Sequence, residues 1–150
     1  MLRIKLLSIL FLVAFVPGQL SAQDHKAAVS DYIDGNAGAY SEIAQEIWDL
    51  AEVGYLETQS SALLAETLSA AGFEITNGVA GIPTAFVASW SRGDGPVVGI
   101  LAEYDALPGI TQDRHPLRTL IDHKSAGHAC GHHLFGTGSV AAAIATKQWM

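Results

Sequence analysis

The chain has 150 residues, 49% of them hydrophobic and 15% charged, with a formal net charge of −7. That length suits one domain of ordinary size, and the composition excludes a disordered chain. The excess of acids excludes nucleic acid and anionic lipid as natural partners, since both would be repelled.

The N-terminus reads as a targeting segment. Arg3 and Lys5 give a positive start, residues 6–16 are apolar apart from Ser8, Pro17 and Gly18 break the run, and Leu20-Ser21-Ala22 resembles a signal-peptidase site. This pattern predicts a signal peptide over residues 1–22 and an exported protein, periplasmic or secreted. An eleven-residue apolar helix reaches roughly 16 Å against a hydrocarbon core of about 30 Å, so no stable membrane anchor is expected after cleavage. Without residues 1–22, 6 Lys and Arg face 15 Asp and Glu, a net charge of −9 that solubility alone explains.

Residues 24–55 are expected to be helical. Tyr40, Ile43, Ala44, Ile47, Trp48 and Ala51 share one helix face, while Glu42, Glu46, Asp49 and Glu52 form a solvated acidic row. Gly35 and Gly38 predict a break upstream. A second helix is expected from Thr58, as N-cap, to Ala71, with Gly72 ending it. The period then changes. Residues 83–90 and 96–102 are apolar and rich in branched side chains, and Ser91-Arg92-Gly93-Asp94-Gly95 between them reads as a turn. Two strands joined by a tight connection are expected, the second without polar alternation and therefore buried on both faces. Residues 106–131 form a long irregular stretch of the kind that often carries function. A last helix runs from His132, with Val140, Ile144 and Gln148 on one face. Helices around a buried sheet give an α/β layered fold.

The chemistry concentrates late in the chain. Five of the six histidines and the single cysteine lie between residues 115 and 133. Within Gly127-His128-Ala129-Cys130-Gly131-His132-His133, Cys130 and His132 have a spacing that puts thiolate and imidazole on one divalent metal if the backbone turns at Gly131. The helix beginning there favours the thiolate. His128 and His133 are possible accessory donors. A second cluster, Glu103 and Asp105, stands at the end of the apolar strand, where α/β folds keep their sites. Alternation points both carboxylates the same way, and one of them can orient a ligand histidine.

Together Ala102-Glu103-Tyr104-Asp105-Ala106-Leu107-Pro108-Gly109 and Gly127-His128-Ala129-Cys130-Gly131-His132 resemble the metal-dependent amidohydrolase and peptidase family of hippurate hydrolase, indole-acetyl-amino-acid hydrolase, carboxypeptidase G and the aminoacylases. The likeness is greatest to the branch that hydrolyses aminobenzoyl-glutamate, and Tyr32-Ile33-Asp34-Gly35-Asn36 and Glu57-Thr58 fit the same branch. The resemblance implies a three-layer α/β/α zinc-peptidase-like catalytic domain over residues 23–150, incomplete at the C-terminus. It implies hydrolysis of an amide between an acyl group and an amino acid, on an aminobenzoyl-glutamate-like, N-acyl amino acid or dipeptide substrate. It implies two divalent ions, manganese or zinc, and a homo- or hetero-oligomeric full-length protein. Cys130 and His132 match metal ligands, Asp105 matches the acid that supports the first metal, and Glu103 stands near the site. His133 departs from the branch, which has Asn or Asp there. The family's general-base glutamate, further ligands and dimerisation domain lie beyond the equivalent of Met150, so the chain is expected to be a fragment, inactive alone. Two other readings stay open: Cys130 as a nucleophile with His128 or His132 as its base, and an exported metal-binding module without catalysis.

Overall fold

The computed structural model describes residues 22–150. The signal sequence expected over residues 1–22 falls, save for its last position, outside them. The helical stretch expected over residues 24–55 is two helices, α1 (Ala22–Gly35) and α2 (Ala37–Leu50). They part at Asn36, whose backbone leaves helical geometry at φ −111°, ψ 6° and whose side-chain amide donates to the Tyr32 carbonyl at 2.7 Å. Asn offers the backbone such local alternatives to the helix ladder, and Gly35 before it lowers the cost of the break. α2 buries Ala44 and Ile47 and ends at Ala51 in the left-handed region.

Helix α3 (Thr58–Ala70) starts one residue earlier than expected, with Glu57 rather than Thr58 as N-cap. Neither side chain caps it. Glu52 does so from a distance, and this corrects its place in the solvated acidic row. Its carboxylate accepts the backbone N–H of Gln59 at 3.1 Å and of Ser60 at 2.8 Å, and the Ser60 hydroxyl at 2.8 Å. Burial alone would raise the Glu52 pKa, but these hydrogen bonds outweigh it and hold the carboxyl below its usual value. A charge-assisted cap at a helix N-terminus is worth about 1–2 kcal/mol. Glu52→Ala is therefore expected to lower the stability by about that amount in urea denaturation. An unchanged midpoint would mean that water caps α3 equally well.

After Gly72, at φ +81°, the chain forms β1 (Glu74–Asn77), a one-turn 3-10 helix (Val79–Gly81) and β2 (Phe86–Ser89). β1 and β2 pair antiparallel, Glu74 opposite Ser89 and Asn77 opposite Phe86. The strand expected at 83–90 is thus present in shortened form, but its partner is β1, not residues 96–102. The second expected strand does not form in this structure. Residues 96–102 belong to no sheet among the described residues, and Val97, Val98 and Leu101 are 97%, 75% and 73% exposed. The physical reason is that a strand without polar alternation needs neighbours on both edges and cover on both faces, and the described residues supply neither.

Inside the long irregular stretch, β3 (Leu107–Pro108) and β4 (Ala126–Gly127) form a minimal antiparallel pair that pins the ends of the loop together. Helix α4 (His132–Trp149) follows Gly131, which takes φ +76°. On its predicted face Val140 and Ile144 are buried, while Gln148 at the far end is exposed. The core lies between α2, α3 and α4 and is made of Ile47, Leu64, Leu68, Val140 and Ile144, flanked by Phe73, Phe86 and Tyr104. The described residues therefore form an α/β arrangement of helices and small antiparallel sheets. Among them, no helix is long and apolar enough to cross a membrane.

Candidate metal centre

The segment carrying Glu103 and Asp105 runs without a sheet ladder, so other contacts fix it. The Ser139 hydroxyl of α4 donates to the Leu101 carbonyl at 2.7 Å, and the Ala106 N–H donates to the Glu52 carbonyl at 2.7 Å. Val53 and Ala106 make a parallel bridge. α4 lies directly on this segment at Gly136, where a Cβ would stand only 2.9 Å from the Glu103 carbonyl oxygen. His132 is four residues before Gly136, one turn away on the same face. That placement brings its ring onto the two carboxylates.

His132 Nε2 lies 3.0 Å from Glu103 Oε2, and His132 Nδ1 lies 2.7 Å from Asp105 Oδ1. The His132 side chain is 24% exposed. Both carboxylates reach the same ring, as side chains two apart on an extended segment can. A neutral imidazole has one N–H, so it satisfies one of these contacts and leaves a lone pair facing the other carboxylate. A proton or a metal cation resolves that conflict. The donor chemistry fits a cation: imidazole nitrogen and carboxylate oxygen are both ligands of divalent ions. Among the described residues, no group of three or more His, Cys, Asp or Glu side chains stands assembled as a metal cage.

Cys130 is exposed and immediately precedes the left-handed turn at Gly131 and the N-terminus of α4. Neither candidate base is hydrogen-bonded to it. His128 Nε2 is 3.0 Å from the Ile47 carbonyl and its Nδ1 is buried, while both His132 nitrogens face carboxylates. The thiol-hydrolase reading gains nothing from this arrangement.

His128 and His133, named as possible accessory donors, pack against each other beside the cluster, His128 close enough to feel the charges of His132 and Asp105. They are 4% and 9% exposed. Their rings pack 4.9 Å apart, and His133 stands edge-on to Trp48 at 5.0 Å. Burial, with His128 adding to it, pushes the His133 pKa down to about 4. An unfolded histidine titrates near pH 6.5. The unfolded chain therefore takes up this proton first. The contribution of neutral His133 to stability is complete above about pH 6.5 and is lost as the pH falls toward 4. His133→Asn is expected to flatten that acid limb when unfolding free energies at about pH 4.5 and pH 7.5 are compared. Parallel pH profiles for the two proteins would refute it.

Sequence reasoning missed the packing beneath the site. Glu57 is 8% exposed and accepts the Thr84 hydroxyl at 2.5 Å, and the Tyr104 hydroxyl donates to the Thr84 carbonyl at 2.5 Å. No periodic or spacing signal links Glu57, Thr84 and Tyr104, which stand far apart in the chain.

The described residues thus bring together an imidazole held between two carboxylates, with a thiol two residues before it at a helix N-terminus. Similar known proteins are hydrolases and peptidases. The chain is 42% identical over 123 residues to one subunit of the p-aminobenzoyl-glutamate hydrolase of Escherichia coli (strain K12), covering 81% of this chain and 25% of that protein. It is 39% identical over 93 residues to thermostable carboxypeptidase 1 of Saccharolobus solfataricus, covering 61% and 23%. It is 31% identical over 144 residues to the Xaa-Arg dipeptidase of Mus musculus, covering 87% and 30%. No protein-family model matches the chain. The chain belongs to the amidohydrolase and peptidase family that these relatives represent, and it spans about a quarter of their length.

Proposed function

We propose that this chain is the metal-binding portion of an exported amidohydrolase that cleaves the amide bond between an acyl group and an amino acid. The observation that carries the reading is His132 held by Glu103 and Asp105 with Cys130 two residues away. Cys130 and His132 would hold the metal. Asp105, 2.7 Å from Nδ1, would accept a ring N–H there and so present Nε2 to the metal, as carboxylates beside ligand histidines do. Glu103 adds negative charge on the opposite side of the ring. A bound divalent ion, manganese or zinc, supplies an acidified water and polarises the scissile carbonyl. Two ions are proposed, with further ligands and the general base contributed by residues other than those assigned here.

In the whole protein, residues 96–102 take the place of a central strand in a three-layer α/β/α domain. Their unbroken apolar sequence and their exposure in this structure support that. The substrate class follows from the names of the relatives, which act on aminobenzoyl-glutamate and on peptides. A relative that is one subunit of a larger hydrolase supports an oligomeric whole protein. Residues 1–22 support export to a periplasm or beyond. The test is turnover: a protein carrying this sequence within a chain of its relatives' length, assayed on aminobenzoyl-glutamate, hippurate and dipeptides with and without chelator. Release of the amino acid that stops with chelator and returns with manganese or zinc is expected. Turnover indifferent to chelator would overturn the metal reading, and inertness toward all three substrate types would overturn the amidohydrolase reading.

A further inference from the structure

We infer that Glu57 is a positioning residue for the Glu103–His132–Asp105 cluster, acting through Thr84 and Tyr104. The inference rests on the proposed function only in taking that cluster as the working centre.

Glu57 is a carboxylate at the start of α3 with 8% of its surface exposed. Carboxylates are rarely buried unless paired or hydrogen-bonded. Glu57 is held by one short hydrogen bond, from the Thr84 hydroxyl to Oε2 at 2.5 Å. Thr84 is itself 8% exposed. Its carbonyl, now fixed in direction, accepts two hydroxyls: Ser61 at 2.7 Å and Tyr104 at 2.5 Å. Burial raises the Tyr104 pKa, so the phenol stays protonated and remains a donor. Tyr104 lies between the two carboxylates that hold His132, in a segment that belongs to no sheet. A segment without a ladder needs side-chain anchors to hold an alternating pair of acids in register, and this chain of hydrogen bonds supplies one.

The other oxygen of Glu57 completes the picture. A Cβ placed on Gly54 would lie 3.9 Å from Glu57 Oε1 and 4.0 Å from Asp105 Oδ2. Glu57 and Asp105 thus border the same space over Gly54. Glu57 reaches the cluster through the hydrogen bonds of Thr84 and Tyr104. Supporting networks of this kind typically change metal affinity by about 10–100-fold when broken.

The experiment compares Glu57→Ala, Glu57→Gln and Tyr104→Phe with the unaltered chain, and uses Glu66→Gln, at an exposed position of α3, as a control. Two quantities are read. The first, without metal, is the hydrogen-bonded ring N–H resonance of His132 in proton–nitrogen NMR, assigned by its loss in His132→Ala. The second is the affinity for zinc and manganese by calorimetry. Glu57→Ala and Tyr104→Phe are expected to broaden or abolish the resonance and to weaken metal binding about tenfold. Glu57→Gln keeps an acceptor for Thr84 and is expected to restore both readouts. A merely structural role would lower the melting temperature of Glu57→Ala and leave the folded protein's resonance and affinity unchanged, and that result overturns the inference. Should Glu57→Ala fail to fold, Tyr104→Phe, which removes a single hydroxyl, decides by the same criteria. Should the unaltered chain bind no metal, the His132 resonance alone decides whether Glu57 positions the cluster.

Discussion

Replacing Cys130 and His132 together with alanine is expected to remove tight zinc or manganese binding, with a loss of at least about 100-fold in affinity. Thiolate and imidazole supply most of the ligand strength of such a site, and the remaining carboxylates are weaker donors for zinc. His132→Ala has a second consequence. Glu103 and Asp105 meet the ring at 3.0 and 2.7 Å from opposite nitrogens. Without the ring they lose their shared partner, and two like charges are left near each other. Elemental analysis of the purified chain beside the double variant, followed by calorimetric titration with each ion, measures the effect. Metal bound at equal stoichiometry by both proteins would show that the ligands lie elsewhere.

Gly127→Ala is expected to be the most destabilising single substitution in the loop, by about 3 kcal/mol. A Cβ at Gly127 would collide with the Ile110 carbonyl oxygen and stand 3.3 Å from the Thr111 Cα. Both are backbone atoms, which no rotamer change can move. The loop must therefore open at the β3–β4 pair, where Gly127 faces Leu107. Opening there moves both ends of the site: Asp105 lies two residues before Leu107, and His128 and Cys130 follow Gly127. Thermal or urea unfolding measures the stability, and metal titration of the folded fraction measures the site. A melting temperature within about two degrees of the unaltered chain would show that the close approach of Ile110 is relieved at little cost.

Much of the helical part of this fold is legible in the sequence. The face of Ala44 and Ile47 on α2, and of Val140 and Ile144 on α4, follows from spacing of apolar residues, because a helix records its buried side locally. The meeting of Glu103 and Asp105 on one partner is also legible, since the alternation of the two acids is a short-range signal. What escaped depends on distant partners. β1 is Glu-Ile-Thr-Asn, a strand made by its pairing with β2 rather than by its own composition. The Glu52 cap acts across seven and eight residues and cannot be told from a solvated acid on α2 by period alone. His128 and His133 sit among metal-type donors in sequence, yet their rings turn toward Trp48. Residues 96–102 carry the signature of a strand covered on both faces, which tells what the segment needs and not whether the described residues provide it.

That last segment has a practical consequence for handling the molecule. Residues 97–101 present Val97, Val98, Ile100 and Leu101 to solvent without a ladder partner and without a charge among them. A run of this kind is a template for edge-to-edge pairing between copies and toward cross-β aggregates. Its nearest gatekeepers are Arg92 and Asp94 on one side and Glu103 on the other. Concentration and ionic strength will therefore govern how long the isolated chain stays dispersed: salt that screens those charges removes the repulsion keeping such edges apart.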